Sequence, residues 1–190
     1  MRTTGLVLAA GAGSRFGGPK GLARTTAGEP WVQRAVQMLV AAGCDEVLVA
    51  VGARGAEVAA LVPPSGRVVV VDDWADGLAA TLRAGLDAAA RRRAEVLVVT
   101  PVDTPDAPAE AVRRVLRRAG GERAASAGLA RAVYAGRPGH PVVLGRAHWA
   151  GVRETLAGDA GAGRYLAAHG AVEVECGDLW SGADVDHGPR

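Results

Sequence analysis

Four short apolar runs, at residues 4–9, 46–51, 67–71 and 95–100, alternate with longer segments whose apolar residues recur every three or four positions. Runs this short and this rich in Val and Leu read as strands buried on both faces, not as helices. The segments between them read as amphipathic helices at about residues 31–42, 55–61 and 78–92. A further helix follows Pro108, since proline suits a first helical turn. Parallel strands need long crossovers, so strands alternating with helices imply βαβ units. The chain is therefore expected to be an α/β protein built on a mostly parallel sheet.

After Gly120 the pattern changes. Residues 124–144 read as two strands around the loop AGRPGHP, followed by helices at about 146–156 and 162–169 and a late strand at 171–176. With 190 residues and no low-complexity linker, one domain is expected over 1–190, its first part running to about residue 120 and a smaller lobe covering 121–190. Apolar residues make up 49% and aromatics 4%, so the core must be aliphatic. A net charge of +2, with arginines scattered among acids, offers no nucleic-acid tract, and Arg91-Arg92-Arg93 reads as the solvated end of a helix. Cys44 and Cys176 lack metal-ribbon or redox spacing and fit a reducing compartment. No leader pattern and no membrane-length apolar stretch is present, so a cytoplasmic protein without membrane partners is expected.

In open α/β sheets ligands gather beyond the carboxyl ends of the strands. The loop after the first strand holds five glycines between residues 11 and 21, together with Arg15 and Lys20. Glycines let backbone N–H groups approach an anion closely. Lys20 is the sole lysine among 22 basic residues, and its compact ammonium can sit among several phosphate oxygens where a planar guanidinium cannot. Three readings compete. A Walker A loop fails because Pro19 separates Gly18 from Lys20 and Gly21 follows the lysine. A dinucleotide fold needs the turn to run straight into a helix, whereas helix onset here waits until about Pro30; Arg54 keeps that alternative open as a 2′-phosphate ligand. A loop that merely turns leaves the two cations unexplained.

The segment LAAGAGSRFGGPK, residues 8–20, resembles the signature L-A-(A/G)-G-x-(G/S)-x-R-(M/F)-G-x-x-K of MobA-like nucleotidyltransferases, especially the molybdenum cofactor cytidylyltransferase branch. The resemblance runs on through WADGLAATLRAGL at 74–86, PVDTP at 101–105, GRPGHPVVL at 136–144, GDAGAGRYL at 158–166 and DVD at 184–186. It implies a Rossmann-like three-layer fold in which Leu8, Ala9, Ala10, Gly11 and Gly13 wrap a nucleoside triphosphate and Arg15 and Lys20 contact its phosphates. Asp103 and Asp186 would ligate Mg2+, with Asp184 a less certain neighbour, while Gly77 and Thr81 would belong to the nucleotide pocket. The implied reaction joins CTP to a phosphorylated acceptor of the molybdopterin type and releases pyrophosphate, with a molybdoenzyme or its maturation machinery as partner. The family runs on as D-I-D-T-P-E-D-L, and here DVDHGPR departs from that pattern.

The residues themselves leave alternatives open. Asp103 sits between Pro101 and Pro105, a rigid acidic corner that suits magnesium and would equally cap a turn. Thr81 offers a hydroxyl to ribose or simply faces its helix, and Trp74 reads as packing. His140 falls on the acceptor side, whereas His148, His169 and His187 show no ligand spacing. Two other activities stay in view: transfer to a sugar phosphate or other alcohol phosphate, and a non-catalytic nucleotide-binding or cofactor-chaperone role.

Overall fold

The computed structural model describes residues 2–120 and 125–186; His187 lies outside them. Seven strands form one sheet in the order β3-β2-β1-β4-β6-β5-β7. β1 (Thr3–Ala9), β2 (Glu46–Val51), β3 (Gly66–Val70) and β4 (Val96–Pro101) pair in parallel. The helices α1 (Trp31–Ala41), α2 (Gly55–Ala59) and α3 (Leu78–Arg91) lie between these strands in sequence. Beyond α4 (Ala109–Ala119) come β5 (Leu129–Tyr134), β6 (Arg137–Gly145), α5 (Trp149–Thr155), α6 (Gly163–Ala168) and β7 (Val172–Glu175).

Alternation along the strands creates two cores. Val7, Val47, Val49 and Val98 face a cluster with Val32, Val36 and Leu39 of α1, Val58 of α2 and Val112 and Val115 of α4. Their neighbours Leu6, Leu48, Ala50 and Leu97 face the other way, toward Leu82 and Leu86 of α3, Trp149 and Val152 of α5 and Leu166 of α6. Successive strand side chains point to opposite faces, so a run apolar at every position needs helices on both sides. The result is a three-layer α/β/α fold.

One expectation is corrected. The loop expected at AGRPGHP is only the pair Ala135-Gly136, and RPGHP already belongs to β6. Both turn residues have positive φ, 51° and 74°, the sense that matches the twist of paired strands. Tyr134 and Arg137 pair directly across the turn. The two prolines suggested a loop, but Pro138 sits at the strand's outer end, where a missing N–H is tolerated.

β6 runs antiparallel to both β4 and β5, while β7 is parallel to β5. Its reversed course brings its beginning to the carboxyl edge of β4, with Val142 opposite Val99. His140 thereby arrives beside the corner that follows Pro101. From β7, residues 176–186 form a strap that crosses back over β5: Trp180 meets Tyr134 edge-on at 5.4 Å, and Val185 donates its N–H to the Asp103 carbonyl at 2.9 Å.

Candidate active site

The loop after β1 curls around one carbonyl. Gly13 O accepts the N–H groups of Phe16, Gly17 and Gly18 at 2.9, 3.0 and 3.1 Å. Gly13 has φ +60°, and a Cβ there would lie 1.9 Å from Gly18 O, so only glycine closes this turn. Those bonds leave the N–H groups of residues 11–15 without partners among the described residues. Gly11 would accept a Cβ with nothing within 4 Å, so the fold does not require glycine there. Phe16 packs on Trp31 of α1 at 5.4 Å and anchors the loop, while Arg15 is exposed at its tip.

A single 3₁₀ turn, Lys20–Leu22, then points the lysine inward, and Gly21 lies so close to Val58 of α2 that a Cβ would come within 2.8 Å. Lys20 is not the exposed loop residue its sequence context suggests. Its Nζ donates to Asp103 Oδ2 at 2.8 Å and to Asp186 Oδ1 at 3.0 Å, and its side chain is only 16% exposed. Burial works against its charge, but hydrogen bonds to Asp103 and Asp186 outweigh that and hold the pKa above the ordinary lysine value.

The acids form one group. Ligand oxygens of Asp103, Asp184 and Asp186 lie within 4.8 Å of one another. Asp103 Oδ1 is buried without a hydrogen-bond partner, which is costly unless something else satisfies it. Hard carboxylate oxygens with an unspent lone pair suit a divalent cation such as magnesium or manganese, so the residues fit the metal implied by the sequence.

Opposite this corner lies the entry to α3. Gly77 has φ 97° and ψ −168°, and a Cβ there would lie 2.6 Å from Asp159 Oδ1 and 2.7 Å from the Gly158 carbonyl. The N–H groups expected to be free at this helix start are partly spent, because Ala79 donates to Gly158 O at 2.9 Å. Thr81 is buried in α3, and Trp74 packs over Gly52 while still reaching the cavity wall.

These groups line a cavity of about 540 Å3 that includes Leu8, Ala9, Ala10, Gly11, Gly13, Arg15, Lys20, Gly77, Thr81, Asp103 and Asp186. The loop residues, Arg15, Lys20, Gly77, Thr81, Asp103 and Asp186 therefore meet in one place, while Asp184 lines the adjoining cavity and Arg54 is paired with Glu57 away from both. An adjoining cavity of about 460 Å3 shares Leu8, Leu78, Pro101, Asp103 and His140 and extends under the strap toward Arg131, Leu166 and Trp180. His140 stands at the junction. Burial lowers its pKa, the Asp103 and Asp184 charges pull it partly back, and the ring is neutral at neutral pH. Sequence reasoning missed Asp159, Arg131 and Trp180. Asp159 was visible only as part of GDAGAGRYL, and the other two carry no local signal. His148 and His169 pack on Tyr165, consistent with their lack of ligand spacing.

A doubly wound sheet whose first loop presents unspent N–H groups and a lysine to an acidic corner defines an α/β protein of the nucleotidyltransferase architecture. The chain belongs to the MobA-like NTP transferase domain family, which its residues 5–174 match. It is 36% identical over 191 residues to a protein named nicotine blue oxidoreductase from Paenarthrobacter nicotinovorans, covering 96% of this chain and 91% of that one. It is also 34% identical over 115 residues to a molybdenum cofactor guanylyltransferase from Cereibacter sphaeroides, covering 60% of this chain and 57% of that one. Among solved structures, Rv0371c from Mycobacterium tuberculosis H37Rv superposes with a TM-score of 0.81 at 28% identity, covering 98% of this chain and 93% of that one. A manganese complex of Rv0371c gives a TM-score of 0.73 at 25% identity, covering 93% of this chain and 89% of that one. Among the described residues no helix is long and apolar enough to cross a membrane.

Proposed function

We propose that this chain transfers a nucleotidyl group from a nucleoside triphosphate to a phosphorylated small-molecule acceptor and releases pyrophosphate. One observation carries the reading: the unspent N–H groups of residues 11–15 and Arg15 share a single cavity with Lys20 and the Asp103 and Asp186 carboxylates it holds. Such a reaction needs no protein nucleophile, because the acceptor phosphate is already anionic and attacks the α-phosphorus in line; catalysis is positioning and charge neutralisation. Arg15, Lys20 and the loop N–H groups stabilise charge on the departing pyrophosphate. Asp103 and Asp186, with Asp184 beside them, would hold Mg2+, which supplies charge neutralisation between the phosphates. In this reading residues 1–120 bind the nucleotide, residues 121–190 form the acceptor side, and the protein works in the cytoplasm.

For the base we propose CTP. Ala10 is buried at the cavity wall, and its methyl group occupies space that glycine would leave to a larger purine. One methyl is worth only about 1–3 kcal/mol of discrimination, so other wall residues contribute. A molybdopterin-type acceptor is proposed from the resemblance of the motifs, with a molybdoenzyme or its maturation machinery as onward partner. The test is a matrix of triphosphates against phosphorylated acceptors, including molybdopterin and sugar phosphates, read by pyrophosphate release. A guanylylated product in the majority under competition with CTP would overturn the base assignment and leave the transferase reading intact.

A second reading, oxidoreduction, is favoured by the oxidoreductase name of a relative matched over nearly the whole chain; with the dinucleotide alternative that Arg54 keeps open, it would be hydride transfer from a nicotinamide cofactor. The acidic corner gives it no support, since hydride transfer does not call for a cluster of three carboxylates beside a lysine paired to two of them. Acceptor-dependent oxidation of NADPH without pyrophosphate release would establish it.

A further inference from the structure

Lys20 spends two of its three N–H donors on carboxylates before any triphosphate is bound. Its ammonium bridges Asp103 Oδ2 and Asp186 Oδ1 at 2.8 and 3.0 Å, beside the buried Asp103 oxygen that has no partner, in the place a cation would take among these carboxylates. We infer that Lys20 is a resident counter-ion, which holds the acidic corner together in the empty protein and swings onto the triphosphate when a divalent cation displaces it. The inference rests on the proposed nucleotide site for the destination of the swing, and on the Lys20 hydrogen bonds to Asp103 and Asp186 for its start.

Charge decides the direction of exchange. Asp103, Asp184 and Asp186 bring three carboxylates within 4.8 Å of one another, and a single ammonium carries half the charge of a divalent cation. A dication closes the gap better and can reach oxygens the lysine leaves unused. Once it binds, the ammonium faces a cation instead of two anions and is driven out. A phosphate group held on the loop whose N–H groups are unspent would offer the ammonium its new anionic partner. Metal and nucleotide then favour each other through one side chain, and the coupling is reciprocal.

This also accounts for the use of lysine. Every other basic position in the chain is arginine. A guanidinium would grip two carboxylates through a rigid planar fork, whereas an ammonium on a flexible four-carbon stem lets go and turns. The stem passes Phe16, whose ring centre lies 6.0 Å from Nζ on the side of the glycine loop.

The single lysine makes the test direct. Protein grown with 13Cε-labelled lysine carries one lysine Cε resonance, and magnesium alone, without nucleotide, should move it as the ion pair breaks. Saturation is monitored in parallel by titrating manganese and counting the free ion by electron paramagnetic resonance. Lys20→Met should bind manganese at least about fivefold more tightly than the wild type in the absence of nucleotide, within the usual range of coupling factors. Lys20→Arg should bind it no better than the wild type. A Cε resonance that stays put through metal saturation, or manganese binding in Lys20→Met that is equal to or weaker than wild type, overturns the inference. Lack of binding to either protein overturns it too. If the ion exchange is seen and no triphosphate yields pyrophosphate, the exchange stands and the transferase reading falls.

Discussion

Replacing Gly77 with alanine should disable this protein by close approach alone, without removing any charged group. At φ 97° and ψ −168° the residue occupies a region of backbone space that is essentially restricted to glycine, and holding a side chain there costs about 1–3 kcal/mol. The new Cβ would also stand 2.7 Å from the Gly158 backbone. That backbone cannot retreat cheaply, because Gly158 O accepts the Ala79 N–H at 2.9 Å. Overpacking of this kind adds about 1–3 kcal/mol. The sum is roughly 2–6 kcal/mol, and at about 2–4 °C per kcal/mol for a chain of this size the melting point should fall by roughly 5–20 °C. Thermal unfolding by circular dichroism reads the fall, and fluorescence titration reads nucleotide affinity. Gly163→Ala at the start of α6 is the matched control, since a Cβ there meets nothing within 4 Å; it should leave stability unchanged or raise it by about 0.4–1 kcal/mol. A Gly77→Ala protein that melts with the wild type and binds nucleotide normally would refute the argument from close approach.

Asp103→Asn should lower turnover by at least about tenfold, the scale of a lost charge-assisted contact, with little effect on unfolding, and raised magnesium should partly restore it; normal turnover at low magnesium would make the carboxylate structural. The Cys44 thiol is pushed up to about 12 by burial and by the neighbouring Asp45 charge, so it should ignore Ellman's reagent at pH 8 until urea unfolds the chain. Glu175 accepts the N–H of Gly177 and those of Ala135 and Gly136, which hold its pKa below 4.5. Its contribution is therefore complete above pH 4.5 and lost as pH falls through the lower folded value; urea midpoints of Glu175→Gln should show a flatter decline in acid than the wild type.

The parallel half of the fold was legible because its central strands are mostly apolar, with Glu46 the one charged residue in β1, β2 and β4. Residues 46–51 read as a strand and are one, and the expected run at 95–100 differs from Val96–Pro101 by a single residue at each end. Burial on both faces of β2 and β4 leaves few polar positions to blur the limits. The hairpin was misread because Pro138 and Pro141 look like loop residues unless it is known that β6 reverses, and the reversal is a property of the whole sheet. At the site, the glycine loop and Asp103 follow strands directly, so their nearness to a ligand could be reasoned from topology. The inward turn of Lys20 could not. It depends on Gly21 lying against Val58 and on carboxylates 83 and 166 residues away.

The strap over residues 176–186 makes chemical competence a late event in the life of each molecule. Asp186 reaches Lys20 only after β7 has paired with β5 and the chain has doubled back past Tyr134, where a Cβ on Gly182 would lie 2.3 Å from the ring. Contacts of such sequence separation close slowly compared with local ones. A chain whose first four strands have folded could already gather a triphosphate on the glycine loop, yet it would lack the second half of its acidic corner. On the proposed reading, the docked strap is therefore a condition for turnover and not only for stability.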